Sequence, residues 1–309
     1  MLTSFPLQAG SPYFFTNLGE VNNKGIEVSM GWTDKIGKDL TFNLSGNFSY
    51  NKNQVLSIGN NIDFQITGNG GVNLTNTGQS IGYFYGYRQT GIYQSTADLD
   101  KTPKFNNSLP GDISYEDVNG DGVITADDRT NIGSPFPDFT YGMTNTFAYK
   151  GFDFAFTLQG VQGFEVLNAA RRFYGNYAGS YNVLKSTANG WKSESDRGDG
   201  VSPQIDRNFN ALGNASVINN ATSAFVEDGS FLRIRNITLG YNLPASIAKS
   251  LKVANARLSF TVQNAYTFTN YEGYNPEVSV EGANPLMPGV DSGGYPLART
   301  YMFGLNFGF

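Results

Sequence analysis

The sequence contains no cysteine and no histidine in 309 residues. The first absence excludes a disulfide framework and thiol chemistry. The second removes Ser-His-Asp and Cys-His nucleophilic sites and histidine-based metal centres together. Charge is scarce as well: charged residues make up 15% of the chain, against about a quarter in ordinary soluble domains. A net charge of −5 and a pI of about 4.8 leave no basic surface for nucleic acid. No apolar run approaches the roughly 18 residues of a membrane-spanning helix. The opening MLTSFPLQAG lacks the basic and apolar regions of a secretory signal.

What the chain does have is 37 glycines, 24 phenylalanines and 18 tyrosines. Mean hydropathy is still −0.31, because Asn, Ser, Thr and Gln carry the polarity. This balance fits an all-β protein with long loops, and equally an outer-membrane barrel with an apolar outside and a wet inside.

The ending RTYMFGLNFGF shows how the two kinds of residue are arranged. Tyr301, Phe303, Leu305, Phe307 and Phe309 occupy alternate positions, with Met302, Gly304, Asn306 and Gly308 between them. Period-two alternation predicts a strand with one apolar and one small or polar face. Six further segments read the same way: 26–33, 40–50, 139–149, 152–159, 237–242 and 256–268. Their apolar positions include Phe42, Phe154 and Phe260, and their polar positions include Glu27, Asp153 and Arg257. The apolar face is expected to carry no charge except Arg299 at a strand end. A half-buried sandwich strand would alternate too. Bulky aromatic faces over ten or more residues suit a bilayer crossing better, since that takes 9–11 residues and globular strands average five or six.

The links alternate in length. DKIGKD, KG and a turn of about a dozen residues containing Pro244 join strands in pairs, and the long stretches 51–138, 160–230 and 269–296 separate the pairs. Short turns on one side and long loops on the other are the pattern of an up-and-down transmembrane β-barrel with long extracellular loops. The final strand then ends at Phe309 on the periplasmic side. Tyr50, Tyr149, Tyr241 and Tyr301 are expected at the interfaces. Seven strands is an odd number, and an open sheet would leave unpaired edges in lipid. The chain is therefore expected to be part of a larger barrel, with 1–25 an extracellular loop and 26–309 barrel.

The strongest local motif is DVNGDGVITADD, residues 117–128. Asp117, Asn119, Asp121, the Val123 carbonyl and Asp128 fall at the ligand positions of a Ca²⁺ loop, with Gly122 at the turn. Position 12 is Asp rather than the bidentate Glu, and no amphipathic helices flank the loop. The expectation is a structural Ca²⁺ pinning an outer loop, set against a metal-free turn of Asn, Gly and Asp. GQSIGYFYGYRQTGIY (78–93) reads as a tightly turned loop with packing aromatics, or as a partner-facing surface. Tyr174, Tyr177 and Trp191, in the second long loop, are candidates for contact with a ligand or a lid. The pairs Glu116/Asp117 and Glu194/Asp196 sit in no pocket pattern that would support glycoside chemistry.

VNNKGIEVSMGW, the block from PGDISYEDVNGDGV to TNTFAYKGFDF, FVEDGSFLRIRNITLGYNLP and the phenylalanine-terminated tail occur in this order. Together they resemble the C-terminal third of SusC/RagA-type TonB-linked outer-membrane proteins of Bacteroidetes. The resemblance implies a 22-stranded barrel with an N-terminal plug that imports glycans, oligosaccharides or peptides. It implies a SusD-like surface lipoprotein as lid, and TonB reached only through an N-terminal region outside this sequence. It also implies that GLNFGF, ending on Phe309, is read by the barrel-assembly machinery. On this reading the chain is a transport protein and not an enzyme. Phe42, Phe154, Phe260, Phe303, Leu305 and Phe307 form its lipid-facing band. The rival reading is a secreted, calcium-stabilised β-rich module that binds carbohydrate, in which the same rings would fill a closed core.

Overall fold

The computed structural model describes residues 2–4, 13–15, 19–59, 64–67, 71–171, 175, 182–205, 221–277 and 284–309. Seven strands form one sheet: β1 Glu20–Ile36, β2 Leu40–Ser57, β3 Phe139–Tyr149, β4 Phe152–Gln162, β5 Phe231–Asn242, β6 Asn255–Thr269 and β7 Thr300–Gly308. Their order in the sheet is their order in the chain, and every pairing is antiparallel. All seven alternating segments are strands. β1 begins at Glu20, so its first six residues precede the expected start of the barrel at residue 26. Much of the remaining 1–18 lies outside the described residues.

Register follows from the alternation, since a slip by one residue would turn every ring to the other face. Pairing brings Phe42 opposite Phe147, Phe147 opposite Phe154, Phe154 opposite Leu239, Leu239 opposite Phe260 and Phe260 opposite Phe303. An unbroken apolar row thus crosses six strands. Its rings touch, with centroids 6.5 Å apart for Phe147 and Phe154 and 4.8 Å for Phe260 and Phe303. They do not close into a core: Phe303 is 83% and Leu305 69% exposed. The sandwich-like reading, which needs those rings enclosed, finds no counterpart here.

Within the span the apolar face carries Asp34, a charge beyond the expected Arg299, and the uncharged Asn145, and past the span it continues through Lys24 and Lys52. Asp34 pairs with Phe42, near the short-turn end of β1. Asn145 pairs with Leu44 and Phe156 and is buried among its neighbours. Asp34 lies one residue past the expected end of the first strand, and Asn145 is a single polar position inside an otherwise apolar alternation.

β5 starts six residues before its expected beginning because a bulge breaks the alternation at Arg235. Ile234 pairs with Leu158 and Ile237 with Phe156, so one extra residue is accommodated between them. On the other side β6 compensates at Asn264, whose φ is +51°. Both isoleucines stay on the apolar face, and the Arg235 side chain turns to the polar one.

The long links are not bare loops. Segments from all three meet in one cluster, where Val72 and Phe84 from the first pack with Leu167 and Val226 from the second and Val290 from the third. A second cluster joins Tyr87, Ile92, Ile113, Tyr115, Ile124 and Trp191. The strand Tyr83–Tyr87 pairs with Thr130–Gly133, Asn73–Asn76 and Ala221–Thr222. The aromatic stretch 78–93 is therefore an interior element of a packed layer above the sheet. Burial pushes the Tyr83 and Tyr93 hydroxyls up to about 12.

Candidate functional site

The polar face of the sheet is where a solute could be handled. Hydroxyls pair across neighbouring strands: Thr144 with Thr157 at 3.2 Å and Thr238 with Thr261 at 3.0 Å. Toward the short-turn end, Arg257 reaches over β5 to Asp153, with Nη2 to Oδ2 at 2.6 Å and Nε to Oδ1 at 3.3 Å. The residue it crosses is Gly240. A Cβ there would lie 2.3 Å from Arg257 Nη2 and 2.4 Å from both Asp153 carboxylate oxygens. Gly240→Val should therefore lower stability in detergent by about 1–3 kcal/mol through overpacking, although valine normally favours a strand over glycine. Thermal unfolding checks this, and an unchanged or raised midpoint would refute the crossing.

Near the long-loop end, Arg233 is 4% exposed. Its Nε donates to Thr267 Oγ1 at 2.9 Å, Nη2 donates to Asn275 Oδ1 at 2.9 Å, and Nη1 pairs closely with Glu277. Glu277 Oε1 also accepts from Gln159 Nε2 at 3.1 Å, and Gln159 Oε1 accepts from Arg235 Nη1 at 2.8 Å. The last long loop is thereby tied to the polar face of β4, β5 and β6. Neither arginine stood out in the sequence, because the bulge hides the strand that carries them. The readable signal was FLRIRN directly before a clear alternating run.

In loop 117–128 the side chains converge on backbone donors. Asp117 accepts from the N–H groups of Gly122 at 2.8 Å, Gly120 at 2.6 Å and Asp121 at 3.2 Å. These donors hold its carboxyl below the ordinary carboxylate range. Asp121 accepts from Val123 N–H at 2.9 Å, and Asn119 accepts from Asp121 N–H at 2.9 Å. Asp128 is fully buried and accepts from Val118 N–H at 3.0 Å and Thr125 N–H at 2.7 Å, closing a capping box. Among the described residues no three acidic side chains come together as a metal-ligand group. The oxygens of these side chains accept N–H groups of the turn, so the loop has hydrogen bonds of its own that hold its shape.

Asp128→Ala should therefore cost about 1–3 kcal/mol by stranding two N–H groups, and should speed proteolysis of residues 112–131. An unchanged cleavage rate in the variant would overturn this. The Asp117 contribution should be complete above the usual carboxylate pKa of about 3.9. It should fade only as pH falls through the lower folded value.

No protein-family model matches the sequence. Among characterised proteins, it is 33% identical to TonB-dependent receptor P3 of Formosa agariphila, over 98% of this chain and 30% of that protein. It is 28% identical to TonB-dependent receptor SusC of Bacteroides thetaiotaomicron, over 95% of this chain and 27% of that protein. Its fold matches the RagAB peptide transporter at a TM-score of 0.75, with 23% identity over 98% of this chain and 31% of that one. Over nearly its whole length the chain matches TonB-dependent receptors, SusC among them. It spans about a third of the length of the relatives it matches.

A SusC/RagA-type receptor resides in the outer membrane and is not an enzyme. Within this receptor chain, Trp191 is not a surface contact. It is 9% exposed, lies against Gly111, and donates from Nε1 to Gln94 O at 3.3 Å. The aromatic that a loop reading offers to a ligand is used to pack the loop layer. Tyr174 and Tyr177 lie outside the described residues. Phe309 is 98% exposed after β7, and β7 pairs only with β6 among the described strands.

Proposed function

We propose that this chain forms seven strands and the associated outer loops of a larger TonB-dependent barrel that imports peptides or glycans. The observation that carries the proposal is the two-faced sheet: an apolar row runs unbroken across six strands, and the reverse side carries hydroxyls, amides and ion pairs. In an outer membrane the first face meets acyl chains, with Phe42, Phe154, Phe260, Phe303, Leu305 and Phe307 in its band, and the second lines the channel. The long-loop end faces outward. There the packed loop layer offers a broad surface to a SusD-like lipoprotein and to arriving substrate. Coupling to TonB would run through parts of the receptor outside these residues, and Phe309 would serve the assembly machinery. The RagAB relatives are described as a peptide transporter and importer, which makes oligopeptides the first substrate class to test.

The test is uptake. Cells lacking the receptor gene should lose accumulation of labelled oligopeptides or oligosaccharides and regain it with the intact gene. The intact receptor should fractionate with outer membranes and require detergent. A receptor recovered in the aqueous fraction would defeat the proposal.

A further inference from the structure

On the outward face, β1 and β2 place Lys24 directly opposite Lys52. The register between these strands is uniform from Val21 to Ile36, so both lysines share the face of Ile26, Tyr50 and Phe48. They sit one step beyond Ile26 and Tyr50. Ile26–Ile36 and Leu40–Tyr50 each match the 9–11 residues that cross a bilayer, so the lysines emerge just past the apolar span. Both are exposed, and neither joins an ion pair among the described residues. Like charges directly opposite on adjacent strands repel, and a position between strands offers many alternatives to a second lysine. Beside them opens a cavity of about 370 Å³, lined by Tyr50, Lys52, Gln54, Gln79, Phe136 and, as its one carboxylate, Asp138.

We propose that Lys24 and Lys52 together clamp a phosphate on the headgroup of an outer-leaflet glycolipid, with the adjacent crevice receiving its sugar. Opposed Cβ atoms in an antiparallel pair stand about 4.5–5.5 Å apart, so both flexible ammonium groups can reach one phosphate. The anion cancels the repulsion between them. Tyr50 supplies an aromatic ring at the level where headgroup and acyl chain meet, and the Gln79 amide and the Gln54 Oε1, whose Nε2 is held by Gly78 O at 3.1 Å, suit sugar hydroxyls. The occupant is a lipid because the pair stands at the end of the apolar face, outside the channel. This rests on the reading that the apolar face meets the membrane and the long-loop end is outermost.

The experiment uses the full receptor, reconstituted in phosphatidylcholine vesicles with and without lipid A and floated on a density gradient. After detergent extraction and washing, retained lipid A is measured by mass spectrometry. The parent receptor should retain lipid A, and K24Q/K52Q should retain at least tenfold less. K24R/K52R should keep most of it, and 1 M salt, with a Debye length of about 3 Å, should strip it from the parent. Equal retention by K24Q/K52Q, or equal retention of dephosphorylated lipid A, overturns the proposal. Failure of the parent to float overturns the membrane reading and this site with it. Flotation with equal retention overturns the site alone.

Discussion

Phe156→Arg should abolish assembly of the receptor in the outer membrane, whereas Thr157→Arg, one residue along, should be tolerated. Phe156 lies in the middle of β4 on the apolar face, between Asn145 on β3 and Ile237 on β5. Thr157 lies on the reverse face and shares a hydroxyl contact with Thr144. An arginine facing lipid at the middle of a barrel costs about 2–4 kcal/mol, and near the interface about 0–1 kcal/mol. Tyr149→Arg, at the short-turn end of β3, should accordingly be mild. On the channel face an added arginine meets water and neighbouring hydroxyls and loses little hydration. The readout is the heat-modifiable band of folded barrel in outer-membrane fractions. Equal loss at 156 and 157 would mean that the two faces are not lipid and channel. Tolerance at 156 would mean that the apolar face is covered by something that can accept a charge.

That contrast rests on a pattern visible before any coordinates. Strands with one bulky aromatic face and one hydroxyl face can be found by parity, and all seven were, because a two-residue period leaves little freedom once one side must be apolar. The alternating lengths of the connections fixed the meander for the same reason. Parity fails where the backbone departs from it. β5 was legible only from Ile237, since the bulge at Arg235 shifts the phase and conceals Arg233 and Arg235. Asp34 and Asn145 were missed for a different reason: one lay past a strand end drawn too short, and the other was a polar residue inside a run judged by its majority. The loop layer was the least legible part. Its core joins residues from three segments far apart in sequence, and no local period records that Val72, Leu167 and Val290 will meet. The same blindness made Trp191 look like a surface aromatic when it fills the space above Gly111. The 117–128 spacing was legible as oxygen donors at fixed intervals. Spacing alone does not say whether those oxygens face an ion or the N–H groups of their own turn.

The anchoring of the last long loop gives the second large effect. Glu277→Gln should loosen residues 271–277 more than Arg233→Met does, although both remove the same ion pair. The two partners differ in burial: the Arg233 side chain is 5% exposed and that of Glu277 36%. Glu277→Gln leaves a guanidinium out of contact with water, facing only neutral acceptors: Thr267, Asn275 and the new amide oxygen. Breaking a fully buried pair from one side costs roughly 3–5 kcal/mol, and partial hydration of Glu277 lowers the expectation here to about 2–3 kcal/mol. Arg233→Met leaves behind a carboxylate that can turn to solvent or keep its bond from Gln159. It also puts an apolar chain of similar length beside Phe231, over which the guanidinium now stacks at 4.8 Å. Hydrogen exchange over 271–277 and over the outer end of β5 separates the two variants. The expected order is parent slowest, then Arg233→Met, then Glu277→Gln. If Arg233→Met exchanges faster than Glu277→Gln, the arginine acts mainly as a hub for Thr267 and Asn275, and the buried charge is not what holds the loop against the channel wall.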